Sequence, residues 1–135
     1  MTGDDARPRG TLATRTLAMP ADSNPSGDIF GGWMMAQMDI AGGISAEWLA
    51  RGRVATVAVR GMEFHEPVAV GDVICCYVEV SRIGNTSITV DVEAWAQRRR
   101  DLDHQLVKVT DGQFTYVAID DTGNKRRVPV NQKQP

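Results

Sequence analysis

The sequence predicts an α+β fold, with one strand, one long helix and then about four antiparallel strands. Two observations support this prediction. Apolar residues recur at helical spacing between about residues 30 and 51, and from residue 54 onward they alternate with polar residues at a period of two. Helical and strand patterns separated in this way are typical of α+β domains. The 135 residues show no repeat and no linker, so we expect one domain.

The first strand is predicted over residues 11–19, "TLATRTLAM". The next segment, "PADSNPSG" (20–27), contains two prolines and several turn formers, which indicates a loop before the helix. The helix is expected to end at "RGR" (51–53), where two cations and Gly52 form a C-terminal stop signal.

Four later segments are rich in Val, Ile, Thr and aromatic residues, and each predicts a strand. These segments are 54–64, 72–83, 86–98 and 104–119. Turns are predicted at 66–72, at Gly84-Asn85, which is a strong hairpin signal, and at 120–125. We expect the folded domain to span residues 11–124, between a flexible N-terminal tail (1–10) and a C-terminal tail (125–135).

The predicted helix is apolar around much of its circumference, and such a helix cannot lie alone on a protein surface. Its large and small apolar residues are Trp33, Met34, Met38, Ala41, Ile44, Trp48 and Leu49. The simplest arrangement is a curved five-stranded sheet wrapped around the helix, which is the hotdog fold. The edges of such a sheet are exposed and often pair with a second copy. We therefore expect a dimer in which two sheets join into one larger sheet.

The composition excludes several classes of function. The formal net charge of −2 lacks the basic surplus that is typical of nucleic-acid-binding proteins. No apolar run reaches the roughly 18 residues that a membrane-spanning helix needs. The N-terminal segment lacks the apolar stretch of a secretory signal. We therefore expect a cytoplasmic protein with neither a nucleic acid nor a membrane as partner.

The only two cysteines, Cys75 and Cys76, are neighbours on a predicted strand, where adjacent side chains point to opposite faces. We expect two buried free thiols, as suits a reducing compartment. Metal binding with the distant His65 and His104 is a weaker alternative, since their spacing is not that of a usual ligand set. We therefore predict no metal site.

A single carboxylate, Asp39, lies near the middle of the predicted helix. The residues that share its face at steps of four and three are all small, namely Gly32, Ala36, Gly43 and Ala46. Such a face admits close approach by a backbone or a ligand. Asp39 is then either a general base beside a cleft, or a solvent-facing or Arg-paired acid on a tightly packed helix. The pattern leaves both interpretations open, and the glycines at 42 and 43 fit either.

A second cluster of glycines, Gly27, Gly31 and Gly32, marks the start of the helix. The first backbone N–H groups of a helix lack internal partners and carry positive dipole character, which suits a phosphate or an oxyanion. No Gly-Lys-Ser/Thr follows, so the segment is not a P-loop. Its spacing and the preceding strand do not match a dinucleotide fingerprint.

These segments resemble a known family, the YciA-type hotdog acyl-CoA thioesterases. The resemblance covers about residues 12–129 and rests on N-x-x-G-D-I-F-G-G-W, the Met-Asp pair of the helix, R-V-x-T-V-A-V and V-G-D-V-x-C-C-Y. The segment "FTYVAIDDTGNKRRVP" also fits the family. One departure is Gly112, where the family leads us to expect Ala.

The resemblance implies hydrolysis of acyl-CoA to a free acid and CoA. It assigns Asp39 as general base or nucleophile and Asn24 as a residue that positions water or substrate. In this family the two residues come from different subunits of a dimer, and assembly as a trimer of dimers is common. Backbone N–H groups at Gly31 and Gly32 would then stabilise the charge on the thioester oxygen. The resemblance implies no cofactor, since CoA is part of the substrate.

CoA also requires contacts to its phosphates and adenine. The turn "SRIGNTSI" (81–88) offers Arg82, Thr86 and Ser87, and in this family the equivalent turn lies near the nucleotide. An ordinary surface hairpin is the alternative. Further candidates for substrate binding are Arg53 and Thr56. The run Arg98-Arg99-Arg100 is more typical of a solvated charged turn.

Two other functions remain open. A hotdog hydratase or dehydratase usually works with a His and an acid, and no His lies in the helix or in the Asn24 loop. An acyl-CoA-binding module without turnover is the other alternative, which the presence of both Asn24 and Asp39 disfavours. A serine hydrolase is not indicated, because Ser45 lacks the G-x-S-x-G elbow.

Overall fold

A computed structural model describes residues 7–129 of the chain, so residues 1–6 and 130–135 of the two predicted tails lie outside the described residues. The elements are β1 (Thr11–Leu17), α1 (Gly31–Ala50), β2 (Val54–Phe64), β3 (Val73–Ile83), β4 (Ser87–Gln97) and β5 (Leu106–Ala118), with a short 3₁₀ helix at Pro20–Asp22. The strands form one antiparallel sheet in the order β1-β3-β4-β5-β2. Helix α1 packs against all five strands.

This architecture confirms the predicted hotdog fold, and each predicted strand or helix lies within two residues of an observed one at both ends. The 3₁₀ helix was not predicted. It forms inside the predicted loop because the Asp22 carboxylate accepts a hydrogen bond from the Met19 N–H at 3.0 Å and closes the turn. Gly112, the departure from the family pattern, lies on β5 with the Met62 side chain filling the space that a Cβ would take.

The sheet covers only one side of α1. The buried side carries Met34, Met38, Ala41, Gly42, Ala46, Leu49 and Ala50, which join the hydrophobic core. The opposite side exposes large apolar side chains at Ile40, Ile44 and Trp48, of which Trp48 is 59% exposed. The sheet of a single chain therefore leaves part of the apolar circumference of the helix uncovered. We call these three residues the bare helix face.

Strand β2 forms one edge of the sheet and pairs on one side only, with β5. Its side chains Val57 and Val59 are exposed at 56% and 36%. An exposed edge with apolar side chains is a surface that folded proteins usually pair or cover. No helix among residues 7–129 combines the length and the hydropathy that crossing a bilayer requires.

The described parts of the predicted tails pack on the domain. Val128 is buried, and its N–H donates to the Asn85 carbonyl at 2.9 Å. The Arg126 N–H donates to the Ala118 carbonyl at 3.0 Å, and the Arg9 N–H donates to the Glu93 carboxylate at 3.1 Å. The packed part of the domain therefore extends beyond the predicted boundaries at residues 11 and 124.

The two cysteines are buried free thiols, as predicted. Burial raises the pKa of the Cys76 thiol to about 11, so it stays protonated at neutral pH. We expect a thiol reagent at pH 7.5 to label neither cysteine in the folded protein and to label both after denaturation in urea. Rapid labelling of the folded protein would contradict this packing. The same measurement shows how much the protein's own cysteines contribute to the signal when a thiol reagent is used to detect released CoA.

One member of the arginine run, Arg98, is not a solvated charge. Its guanidinium donates to the Asp72 carboxylate at 2.6 Å and to the Pro67 carbonyl at 3.0 Å. The Asp72 residue is only 3% exposed and also accepts the Ala69 N–H at 3.0 Å. The pair ties the end of β4 to the turn that precedes β3.

Replacing Arg98 with Ala leaves the buried Asp72 carboxylate without its cation. We expect the free energy of unfolding to fall by about 2–3 kcal/mol, because a buried charge has lost its partner. The measurement is equilibrium unfolding in urea. The matched control is Arg100→Ala, which removes an exposed arginine from the same run. Equal stabilities of the two variants would contradict the proposed importance of this ion pair.

Candidate active site

Asp39 is half-buried in the middle of α1. Its Oδ1 atom accepts a hydrogen bond from the Thr56 hydroxyl at 2.8 Å and another from the Tyr116 hydroxyl at 2.9 Å. The Tyr116 hydroxyl also lies 2.8 Å from the main-chain oxygen of Asp39, so its proton is shared between two acceptors. Within residues 7–129, Asp39 forms no ion pair and its Oδ2 atom accepts no hydrogen bond.

The two donors meet at one oxygen because of the strand register. Thr56 on β2 and Tyr116 on β5 are directly opposite each other, so their side chains lie on the same face of the sheet. That face is the one covered by α1 at Asp39. Within residues 7–129 no arginine pairs with Asp39, and the geometry leaves one carboxylate oxygen held by hydroxyls and the other without a described partner.

The structure resolves the role of Gly42. A Cβ atom at this position would lie 2.5 Å from the Tyr116 hydroxyl and 3.2 Å from its ring. A Cβ at Gly43 would make only ordinary contact with the same ring, at 3.7 Å. Gly42 is therefore required for the close approach of the tyrosine to the helix, whereas Gly43 is not.

The sequence reasoning missed Tyr116. Its side chain is 1% exposed, and its ring stacks on Phe114 with centroids 6.5 Å apart. Burial raises the pKa of the tyrosine hydroxyl far above its usual value, and the hydrogen bond and negative charge of Asp39 raise it further. The hydroxyl is thus a permanent donor. Two features of the sequence could have identified Tyr116: a tyrosine on the inward face of a predicted strand, and a pair of glycines close to Asp39 on the helix.

The N-terminus of α1 presents a second group of predicted residues. Phe30 is the N-cap, no side chain caps the helix, and no acid lies in its first turn. The first N–H groups, at Gly31 and Gly32, therefore keep their hydrogen-bonding capacity. A Cβ at Gly32 would have no neighbour within 4 Å among the described residues, so this end of the helix is open.

Asn24 lies close to this end. Its Oδ1 atom accepts the N–H groups of Ser26 and Asp28, at 2.9 and 3.1 Å, and thereby closes the loop before the helix. Its NH₂ group donates to no described residue. Asn24 and Gly31 line the same cavity of about 330 Å³, which Phe64 and His65 also border.

The structure does not bring these residues to Asp39 within one chain. Gly31 and Gly32 precede Asp39 by two turns of helix, a distance of about 10–12 Å. A water held by Asp39 and an oxyanion held by those N–H groups must both lie about 3 Å from one carbonyl carbon or its oxygen. That separation is at the upper limit of what one carbonyl and one water can span, so the two groups of one chain are poorly placed to act together.

The predicted CoA-binding residues collect at one end of the sheet. Arg82, Thr86 and Ser87 lie in the β3–β4 hairpin, and the Thr86 carbonyl accepts the Ala118 N–H at the end of β5. Arg53 lies beside that strand end, where its guanidinium donates to the Asp120 and Asp121 carbonyls at 3.1 and 3.0 Å. Thr56 does not join them, because its hydroxyl is engaged with Asp39.

Two further cations at this end were not predicted. The Arg126 guanidinium donates to the Ile119 carbonyl at 2.9 Å, and the Arg127 guanidinium donates to the Asn85 side chain at 3.1 Å. Their signal in the sequence was the Arg-Arg pair in the segment assigned to the C-terminal tail. The end of the sheet at the β3–β4 hairpin therefore carries four arginines, namely Arg53, Arg82, Arg126 and Arg127.

Both histidines are engaged away from Asp39. His65 Nε2 lies 3.1 Å from the Asp111 carboxylate, and His104 hydrogen-bonds Gln97 at 3.1 Å. Glu63, His65 and Asp111 offer ligand atoms within 4.8 Å of one another, but the Lys108 ammonium already lies 2.9 Å from Asp111. A cation there would have to compete with that ammonium.

Comparisons with known proteins agree with this geometry. Residues 26–102 match the model of the thioesterase superfamily. The acyl-CoA thioester hydrolase YciA of Salmonella typhimurium is 52% identical over 96% of this chain and 98% of its own length. A hexameric, broad-specificity acyl-coenzyme A thioesterase, solved with one aspartate replaced by Ala, is 46% identical. It superposes with a TM-score of 0.88 over 93% of this chain and 91% of its own.

A more distant neighbour is the acyl-CoA hydrolase of Staphylococcus aureus, solved with butyryl coenzyme A and coenzyme A. It is 28% identical and has a TM-score of 0.78 over 86% of this chain and 70% of its own. Structures of this hydrolase have also been determined with an aspartate, a threonine or an asparagine replaced by Ala.

Proposed function

The chain belongs to the thioesterase superfamily, and we propose that it hydrolyses acyl-CoA thioesters to a free carboxylic acid and CoA. The observation that carries this proposal is the Asp39 carboxylate, whose Oδ1 is held by two hydroxyls while Oδ2 has no partner among the described residues. A carboxylate oriented in this way is suited to act on a water molecule as general base, or on the carbonyl carbon as nucleophile.

The chemistry needs few groups. In the general-base form, Oδ2 takes a proton from water as its oxygen attacks the thioester carbon, and negative charge develops on the carbonyl oxygen. Collapse of the tetrahedral intermediate breaks the C–S bond, and the proton returns from Asp39 to the departing sulfur. Water and groups of the protein are sufficient for these steps, and CoA enters as part of the substrate.

We propose that the oxyanion donors come from a second subunit. In one chain the N–H groups of Gly31 and Gly32 are poorly placed relative to Asp39, but in a dimer the corresponding groups of the partner subunit can face it. Asn24, whose NH₂ group donates to no residue in 7–129 and which lies at the same end of the helix, would join them. The catalytic site then contains Asp39 and Thr56 from one subunit and Asn24, Gly31 and Gly32 from the other.

The surface of the single chain supports such an assembly. The bare helix face and the apolar edge strand β2 are both uncovered, and a second copy of the chain would cover them. Hexameric relatives suggest the same for this chain, and we propose a trimer of dimers with the dimer as the minimal unit. Hydrolysis of acyl-CoA and two unpaired buried thiols are consistent with a cytoplasmic location.

The CoA phosphates are proposed to bind the arginines at the hairpin end of the sheet. Arg53 precedes Thr56 by three residues on an extended chain, which places it about 10 Å from the carboxylate site along the strand. Arg82, Thr86 and Ser87 add a second cation and two hydroxyls. Such a separation suits a substrate whose charged nucleotide is joined to its thioester by a long, flexible arm.

The variants studied in the Staphylococcus aureus hydrolase lend support to the residue assignment. Along that chain the asparagine, the aspartate and the threonine have the same mutual spacing as Asn24, Asp39 and Thr56 here. Identical spacing across a shared fold supports the proposal that the three residue types occupy equivalent positions in the two proteins.

Release of CoA by the purified full-length chain tests the proposed function. We expect turnover of at least one member of a series of acyl-CoA esters from acetyl to palmitoyl, followed with a thiol reagent. The series also measures the preferred acyl length. A rate equal to the uncatalysed hydrolysis for every ester, with stoichiometric binding of acyl-CoA, would favour the binding-module alternative instead.

A further inference from the structure

We infer that Tyr116 is a positioning residue for Asp39, because its buried hydroxyl holds one carboxylate oxygen and thereby aims the other at the substrate. The inference rests on the proposed function and deepens it. It adds to the site a residue from β5 that lies beneath the helix and does not touch the reacting atoms.

The geometry of the hydroxyl is the first argument. One oxygen atom lies 2.8 Å from the main-chain oxygen of Asp39 and 2.9 Å from its Oδ1. The Tyr116 hydroxyl thus links the Asp39 carboxylate to the main chain of the same residue. This link restricts both side-chain torsion angles of Asp39. The Thr56 hydroxyl, at 2.8 Å, reaches the same Oδ1 from the neighbouring strand. Rotation that would exchange the two carboxylate oxygens has to break both contacts.

The helix makes room for this hydroxyl, which is the second and independent argument. Gly is unfavourable in the interior of a helix, yet Gly42 lies where any Cβ would collide with the tyrosine oxygen. Packing alone would be satisfied by Phe, since the ring already stacks on Phe114. A buried hydroxyl is costly unless it is hydrogen-bonded, and Asp39 is its hydrogen-bond partner among the described residues.

The hydroxyl keeps its proton at every pH at which the enzyme works. Burial, and then the adjacent Asp39, raise the pKa of Tyr116 far above the physiological range. It therefore acts as a donor and never as the proton acceptor of the reaction.

The test is Tyr116→Phe in the full-length chain, assayed by CoA release. Loss of the donor lets the Asp39 side chain rotate away from its productive orientation. We expect kcat to fall by about 10- to 100-fold and KM to change by less than about threefold. This split between kcat and KM is the signature of a residue that orients the catalytic group without contributing to substrate binding.

The matched control is Tyr77→Phe, because Tyr116 and Tyr77 are the two tyrosines of the chain. Tyr77 lies on β3, and its hydroxyl forms no hydrogen bond with any residue in 7–129. This variant should retain wild-type kcat and KM. A kcat within twofold of wild type for Tyr116→Phe would overturn the inference, and so would a loss of kcat/KM that arises mainly from a raised KM.

A second variant covers the case in which Tyr116→Phe folds poorly. Gly42→Ala keeps the tyrosine but displaces its hydroxyl. Because Ala forms helices better than Gly, a reduced kcat of this variant could not be explained by a weakened helix. We expect a fall in kcat with little change in KM, as for Tyr116→Phe. In the double variant with Tyr116→Phe, kcat should lie within about twofold of that of Tyr116→Phe alone, because both changes remove one contact. Additive losses would contradict the inference.

The assays separate this inference from the proposed function. If the wild-type chain releases CoA and Tyr116→Phe behaves like wild type, only the inference fails. If the wild-type chain releases no CoA from any ester, the proposed function fails and the inference falls with it.

Discussion

Replacing Asp39 with Asn is expected to lower kcat by about 10²- to 10⁴-fold, because the variant lacks the group that takes the proton from water. The amide oxygen of Asn can still accept the hydroxyls of Thr56 and Tyr116, so the helix and the sheet should keep their packing. We therefore expect an unchanged melting temperature within about 2 °C and a KM near that of wild type. The measurements are CoA release and thermal unfolding.

The matched control is Asp91→Asn, which makes the same chemical change at another half-buried aspartate. Asp91 lies on β4 and accepts a hydrogen bond from Gln113 at 3.2 Å, away from the helix. This variant should hydrolyse acyl-CoA at the wild-type rate. A kcat for Asp39→Asn within threefold of wild type would exclude both proposed roles of this carboxylate, as base and as nucleophile.

Mixing two inactive variants is expected to restore activity, since the proposed site is shared between subunits. Asn24→Asp keeps the oxygen that accepts the Ser26 and Asp28 N–H groups and removes the NH₂ donor. In a dimer of one Asn24→Asp subunit and one Asp39→Asn subunit, one site has both native residues and the other has neither. After random exchange of equal amounts, about a quarter of the wild-type activity should return.

Exchange must be verified independently, for example by native mass spectrometry of subunits that carry different isotopes. The control is a mixture of Asp39→Asn with Asp39→Ala, which contains no native Asp39 and should stay inactive. Complete exchange without recovery of activity would mean that Asn24 and Asp39 act within one subunit. The distance of two helical turns between Asp39 and the helix N-terminus would then need another explanation.

Much of the fold was predictable from the sequence, because local signals agree with the tertiary structure. The change of period near residue 54 and the hairpin signal at Gly84-Asn85 both correspond to observed elements. The small-residue stripe around Asp39 was readable for the same reason, since helical spacing alone decides which residues share a face.

The partners of Asp39 were not predictable in this way. Tyr116 is separated from it by 77 residues, and their contact depends on how β5 pairs with β2. That pairing contains two irregularities, between Thr56 and Ala58 and between Arg60 and Glu63, which no alternation pattern reveals. Periodicity shows the face on which a strand residue lies, but not the helix residue that it meets there.

The apolar circumference of the helix was readable from the sequence, but the burial of each of its residues was not. Ile44 and Trp48 are as apolar as Met38, yet they are 50% and 59% exposed, whereas Met38 is fully buried. A single chain cannot indicate which of its apolar residues are covered by its own sheet and which by a neighbouring subunit. For the same reason the sequence alone could not place the helix N-terminus relative to Asp39 in the assembled protein.

The most direct test of the shared site is a crystal structure of the Asp39→Asn variant with a bound medium-chain acyl-CoA. The proposal predicts that the thioester carbon lies within about 4 Å of the residue 39 side chain. Its carbonyl oxygen should accept hydrogen bonds from the N–H groups at the start of the helix of the other subunit. A thioester bound away from residue 39, or a carbonyl oxygen facing only groups of the same subunit, would contradict the proposal.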